Sequence, residues 1–394
     1  MTSSRRRPLV LAGLFLASLL LVPMPGTLRA QSAGMVLFAP AIEARPAAPP
    51  PLRLAERPGA MPLAELRAAL EAAPEELAAI ADWNRAGRLP ARNGFERPLP
   101  AERRVAFGPE LRARAGGLHA GGLLERSPDG SQVWGAGVRV EGAYRLRLHL
   151  AEINLPVGAE LWAYGASESV GPFGLELKGP GGDLWTPSVG GPAMHLEVRL
   201  PSGAGPASFA IDRVLEILGP REPSPGASSS SLAPRAGECL VDAECIGPPT
   251  FDAIDDVQRA VAHIEFVDGG SGFACSGGLL SGLGESSSIP FFLTANHCFD
   301  NQAAASSLEV FWDFFTPCDG EPPDLASLPR SNGSVLLATG SLGEGLSDFT
   351  LVRLNTVPGG RAFLGWNANS SATANGTVLH RVSVPCDQIG RAHV

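Results

Sequence analysis

Lysine is nearly missing from this sequence of 394 residues: Lys178 stands alone, and the other basic charge is arginine. Beyond the first residues there is no Lys/Arg-rich block, and the formal net charge is -9. That balance disfavours nucleic acid as a partner, because binding a polyanion needs a clustered basic face. A GC-rich coding bias accounts for the arginine and for the abundant Ala, Gly and Pro. Cysteine is absent before Cys239, no Cys-x-x-Cys pair occurs, and no His/Cys cluster has zinc spacing. Neither a metal site nor a cofactor is expected. Long apolar runs are also lacking, with one exception at the start.

That exception is Pro8 to Val22, preceded by Arg5-Arg6-Arg7 and followed by Pro25-Gly26 and then Thr27-Leu28-Arg29-Ala30. A basic stretch, a short apolar core and a small-residue end make an export signal, cleaved after Ala30. The run is short for a membrane span. The chain is therefore expected to be secreted or periplasmic, with no membrane association once the signal is removed. Six cysteines in an exported chain favour disulfides.

After the signal, residues 31–104 read as a flexible and helical lead-in. Leu63, Leu66, Leu70, Leu77, Ile80 and Trp83 recur at roughly helical spacing, and Pro74 divides them into two short helices. Residues 105–218 are strand-like. Arg145 to Leu150 and His195 to Leu200 alternate strictly between polar and apolar residues, and Gly/Pro clusters separate the runs. This predicts an antiparallel β-sandwich. His149 and His195 fall on the polar phase and are expected to face solvent. Residues 219–236 form a Pro/Ser-rich linker that ends beside Arg235, a plausible processing point.

All six cysteines follow the linker. Short apolar or alternating runs at 262–267, 273–280, 289–297, 308–312 and 348–354 predict a further all-β unit. The third ends in Thr294-Ala295-Asn296-His297-Cys298. A histidine at the end of a rigid strand is well placed to move protons, since imidazole ordinarily titrates near neutrality. A base of this kind needs a carboxylate to fix its tautomer. The candidates downstream are Asp300, Asp313, Asp319, Glu321, Asp324, Glu344 and Asp348. Asp348 stands out because it opens an apolar strand, but spacing alone does not select it.

Taken together, Cys275-Ser276-Gly277-Gly278-Leu279-Leu280, Leu293-Thr294-Ala295-Asn296-His297-Cys298 and Ser347-Asp348-Phe349-Thr350-Leu351-Val352 resemble three ordered signatures of the trypsin-like serine proteases. The Cys239 to Cys245 stretch, Phe311-Trp312-Asp313 with Cys318, and Phe363-Leu364-Gly365-Trp366 are similar to the bacterial lysyl endopeptidase group. The resemblance implies two antiparallel barrels with a cleft between them, His297 as general base and Asp348 as its orienting partner. It implies disulfides Cys275–Cys298 and Cys245–Cys318, and pairs Cys239 with a cysteine much further on. Cys386 has no counterpart. Protein or peptide substrates and a monomeric state follow from the same likeness.

One part of the pattern is missing. The family's nucleophile stands in a Gly-Asp-Ser-Gly-Gly or Gly-x-Ser-Gly-Ser loop, and no such loop follows Asp348; Ser370, Ser371 and Ser383 lack that context. Residues 389–394 can be encoded by a run resembling a sequencing adapter. They are expected to be a non-native tail on a truncated protease unit spanning 237–388. The expectation is a secreted serine endopeptidase seen as an inactive fragment. The alternative is a non-catalytic secreted binding protein with a protease-like domain.

Overall fold

Period-two patterning becomes sheet almost throughout the computed structural model. It describes residues 37–38, 50–58, 60, 63–66, 74–108, 122–219, 243–246, 253–282, 289–315, 323–341, 343, 347–366 and 382–383. The expected signal (1–30), the linker beyond Gly219, and the tail (389–394) lie outside the described residues.

The N-terminal unit holds β1 (Leu37–Phe38), β2 (Ala64–Leu66), β3 (Ala91–Phe107), β4 (Leu123–Arg126), β5 (Gln132–Val140), β6 (Arg145–Asn154), β7 (Glu160–Tyr164), β8 (Ser169–Phe173), β9 (Leu184–Trp185), β10 (Val189–Gly190), β11 (Ala193–Leu200) and β12 (Ala207–Ile217). One sheet runs β2-β5-β11-β7-β8, with β4 on β5; the facing layer runs β10-β6-β12-β3. Between them lies an apolar core containing Trp134, Val138, Leu148, Leu150, Leu161, Leu196, Val198, Phe209 and Ile211. Trp134 meets Phe209 edge-on, with ring centroids 5.5 Å apart. Each large side chain so buried contributes about 1.5–3 kcal/mol.

Two expectations for residues 31–104 differ from the structure. There is one described α-helix, Pro74–Arg85, where two are expected, and residues 67–73 of the other lie outside the described residues. Pro74 opens it, because the first helical position has no use for a backbone N–H, and Glu75 and Glu76 suit the positive end. The other stretch is strand at Ala64–Leu66, where pairing with the edge of β5 outweighs helical spacing. At the C-terminal end, Ala91–Phe107 is a long strand that pairs with β12. Its Pro98 and Pro100 and its many charges hide the alternation.

The C-terminal unit holds β13 (Val261–Asp268), β14 (Ser271–Leu280), β15 (Phe291–Thr294), β16 (Glu309–Phe311), β17 (Arg330–Asn332), β18 (Ser334–Gly340), β19 (Phe349–Leu354) and β20 (Ala362–Phe363). Its strands curl around Ile264, Phe266, Leu279, Phe292, Val310, Trp312, Val352 and Leu354 as a half-barrel of the all-β trypsin-like kind. Phe292 stands edge-on to Trp312 at 5.9 Å. β3 pairs with β14, so one sheet of twelve strands passes from the sandwich into the half-barrel. β1 lies on β20.

That junction corrects the reading of β6. Arg145, Arg147 and His149 occupy its polar phase, yet each is only 2% exposed. The polar face turns toward the second unit and the β9 and β10 segments instead of water. The His149 ring meets Asp212 at 2.6 Å and Asp183 at 2.9 Å, with Trp185 against it. His195 is partly buried as well, stacked on Tyr164 at 5.0 Å, and burial lowers its pKa.

Candidate active site

The site begins with strand register. β15 pairs antiparallel with β19: Phe291 faces Arg353, Phe292 faces Val352, Leu293 faces Leu351 and Thr294 faces Thr350. In both strands the buried phase is set by Phe292, Thr294, Thr350 and Val352. Slipping the register by one residue would expose those side chains, so the pairing is fixed. It brings the turn after β15 alongside the residue that precedes β19. These are His297 and Asp348.

His297 Nδ1 lies 2.6 Å from Asp348 Oδ2, and the His297 backbone N–H donates to Asp348 Oδ1 at 3.0 Å. A carboxylate on Nδ1 accepts, so Nδ1 carries the proton and neutral imidazole presents an unprotonated Nε2. The side chains remain 38% and 32% exposed, which leaves the imidazole open to an incoming molecule. Burial works against the charge on Asp348. The hydrogen bonds from the His297 ring and backbone outweigh it and hold the carboxyl below its ordinary value.

The other sequence candidates for that carboxylate are occupied or not described. Asp313 is gripped by Arg361 through bonds of 2.6 and 2.8 Å. Asp324 caps the short turn at Leu325–Ser327. Asp300 lies 3.4 Å from Asn301 Nδ2. Asp319, Glu321 and Glu344 lie outside the described residues.

Below the histidine, Cys275 and Cys298 are bonded, tying β14 to the turn. Cys275, His297 and Cys298 lie within 4.8 Å of one another. Both sulfurs are spent in the disulfide, so they offer no thiolate to a metal. Cys245 is disulfide-bonded, while Cys239, Cys318 and Cys386 fall outside the described residues. So do Ser370 and Ser371.

A second device steadies the turn, and the sequence reading does not find it. Asn296 Nδ2 donates to Thr339 Oγ1 at 2.8 Å, Thr339 and Thr350 hydroxyls are 2.8 Å apart, and Thr350 donates to the Phe299 carbonyl at 2.6 Å. Each hydroxyl has one proton, and the Phe299 carbonyl only accepts. The relay therefore runs one way, from Asn296 through both threonines to Phe299. It joins both sides of His297 to β18 and β19. Thr294 adds a bond of 2.8 Å to the Ser276 carbonyl. The available signal was threonine at buried-phase positions of two apolar strands, where a hydroxyl must find a partner.

No helix among the described residues is long and apolar enough to cross a membrane. Comparison with known proteins adds to this geometry. The lysyl endopeptidase N-terminal domain model matches residues 79–213, and the lysyl endopeptidase C-terminal domain model matches residues 233–390. A curated lysyl endopeptidase of Pseudomonas aeruginosa strain PAO1 is 28% identical over 278 residues, which is 66% of this chain and 56% of that relative. The chain thus spans little more than half the relative's length. With both domain models of one family matched in order and a curated member aligned over much of the sequence, the chain belongs to the lysyl endopeptidase family.

Proposed function

We propose that this chain carries the base and orienting acid of a secreted serine endopeptidase, with residues 31–236 as its pro-region and residues 237–388 as the first part of its protease unit. The observation that carries the reading is the double hold of Asp348 on His297, at the ring and at the backbone. Such a hold fixes the imidazole in the tautomer that accepts a proton at Nε2. It also offsets the positive charge that forms when the proton arrives. The exposed Nε2 side is where a serine hydroxyl would give up its proton before attacking a peptide carbonyl. The disulfide Cys275–Cys298 and the threonine relay keep the ring from swinging away.

The reading needs a nucleophile and an oxyanion hole that this sequence does not contain in recognisable form. Residues 31–394 alone are therefore expected not to turn over peptides. Serine-dependent hydrolysis by them, blocked by an organophosphate, would overturn that. The primary test uses the completed gene. His297→Ala is expected to lower kcat by several orders of magnitude; a loss under tenfold would remove His297 from the mechanism. A reading frame that closes without a Gly-x-Ser-Gly loop would favour the binding-protein alternative. For the pro-region, sequencing the secreted product should place a new N-terminus near Ala236, whereas a fully active protein still starting at Gln31 would make the sandwich a permanent accessory domain.

A further inference from the structure

Of the 31 lysine and arginine side chains in the sequence one is lysine, and its place in the fold is particular. Lys178 closes the short turn Leu175–Leu177 that follows β8, and its own backbone is extended, with φ -69° and ψ 124°. Leu177, just before it, is 3% exposed and belongs to the sandwich core. Lys178 is exposed. Its ammonium donates to the Ile153 carbonyl at a long 3.4 Å. An ammonium has three N–H donors, so one long contact leaves the charge turned to water.

The residues that follow are Gly179-Pro180-Gly181-Gly182, with Pro180 and Gly181 exposed, and then Asp183 before β9. Two backbone bonds fold this loop. The Gly179 N–H donates to the Asp183 carbonyl at 2.7 Å, and the Gly182 N–H donates to the Gly179 carbonyl at 3.0 Å. A side chain pins its far end, where Asp183 meets the His149 ring at 2.9 Å. Residues 178–182 lie in no strand. A small-residue loop tip held by so few bonds opens at little cost, and such tips are where chains are nicked. Enzymes that bind peptides by strand addition take them extended, and Lys178 already has that backbone.

Other basic residues of the sandwich are placed differently. Arg145 and Arg147 are each 2% exposed. Arg139 is exposed, but it lies in β5, with β11 paired on one side and β2 on the other. From residue 179 onward the sequence has no lysine. A lysine-specific enzyme therefore has one bond to find in these 394 residues, and it lies between β8 and β9.

We propose that Lys178–Gly179 is a cutting point built into the sandwich, opened in the folded protein by an endopeptidase whose primary pocket takes lysine and which acts on this chain from outside. Hydrolysis breaks the bond between the Lys178 carbonyl carbon and the Gly179 nitrogen. Water gives a hydroxyl to the carbon and a proton to the nitrogen. The acid so formed passes its proton to the amine, leaving a carboxylate and an ammonium. The cut falls inside the sandwich and spares the half-barrel. It parts β1–β8 from β9–β12 covalently, while β11 still pairs with β5 and β7, and β12 with β3 and β6. The first cut therefore leaves the fold standing with a new pair of ends in the loop. In this inference the chain is a substrate, so nothing in it depends on whether His297 is catalytic.

The test adds a trace of purified lysyl endopeptidase to residues 31–394 without denaturant. Mass spectrometry should find two products, 31–178 and 179–394, while the sample keeps its native near-ultraviolet circular dichroism. A chain that stays intact under conditions that cut a denatured sample would overturn the proposal. Lys178→Arg should resist, and its cleavage by the same enzyme would also overturn it. Moving the lysine separates the loop from mere exposure. The double variant Lys178→Arg/Arg139→Lys carries its one lysine exposed in a strand paired on both sides. It should be cut at least about a hundredfold more slowly than the parent, because a central strand opens only with the fold. Cutting at the parent's rate would show that unfolding, not the loop, selects the bond. His297→Ala as substrate should be cut as fast as the parent; a slower rate would make the chain its own cutter and remove the outside agent.

Discussion

Thr350→Val puts the threonine relay to a quantitative test. Valine keeps the branched shape and the β preference of Thr350, which is fully buried in β19. What disappears is the hydroxyl that donates to Phe299 at 2.6 Å and accepts from Thr339 at 2.8 Å. Thr339 retains an alternative, since the Phe349 carbonyl lies 3.1 Å away. The Phe299 carbonyl loses this donor without gaining another. One stranded buried acceptor costs about 1–3 kcal/mol, and the Thr339 switch adds a fraction of a bond. A total of about 2 kcal/mol corresponds to roughly a thirtyfold rise in the local opening equilibrium. Hydrogen exchange of the amides of residues 295–300, read by mass spectrometry, should show that rise, while the β13 and β16 peptides change far less. Thr350→Ser keeps both bonds and should lose only the methyl contribution, about 0.8 kcal/mol. Exchange in 295–300 within twofold of the parent for Thr350→Val would refute the relay.

Replacing both Cys275 and Cys298 by alanine releases a loop of sequence separation 23 and should cost about 3 kcal/mol, measured as a fall in urea stability; a loss below about 1 kcal/mol would mean the pairing of β14 and β15 already fixes the turn. Asp348 has a lowered folded-state pKa, so its contribution to stability is complete above the ordinary carboxyl value, about 4, and disappears as pH falls through the depressed value. Asp348→Asn should remove that part of the acid-unfolding curve, and superimposable curves below pH 4 would show that the bond to His297 does not stabilise the fold. Asn296→Ala removes the first link of the relay and should cost about 1 kcal/mol in the same exchange measurement; no change would leave the turn held by Asp348 and the disulfide alone.

How much of this was legible in the sequence depended on what each pattern reports. Period two identified β6 and β11 directly, but it says only which side chains share a face. It does not say what covers that face, so His149 reads as solvated when Asp183, Asp212 and Trp185 enclose it. β3 was hidden because prolines and charges interrupt its alternation. β18 was hidden for a geometric reason: its pairing with β19 shifts register between Leu336 and Ala338, and a bulge breaks period two. At the site, the histidine turn was conspicuous, yet seven carboxylates competed on spacing. The β15–β19 register is a long-range fact, and it brings Asp348 to the ring. Asn296, which no pattern in the sequence singles out, anchors the relay through Thr339.

The sharing of β14 also bears on time. Arg92 and Ser271, which meet across the junction, are 179 residues apart in sequence. The sandwich's last strand ends at Ile217 and β14 begins at Ser271, 54 residues later, which a chain made N-terminus first at about 5–20 residues per second covers in roughly three to eleven seconds. Hydrophobic collapse of a domain-sized chain takes well under a millisecond. The sandwich, whose own strands are all complete by Ile217, therefore has a long head start. When β14 emerges, it meets a finished edge, with Gly94 already in position to admit Gly272. Non-local strand pairing is ordinarily the slow part of building a barrel. Here the order of synthesis turns that slow search into addition of a strand to a surface that is waiting for it. Moving the sandwich to the far end of the gene would keep every contact and forfeit that advantage.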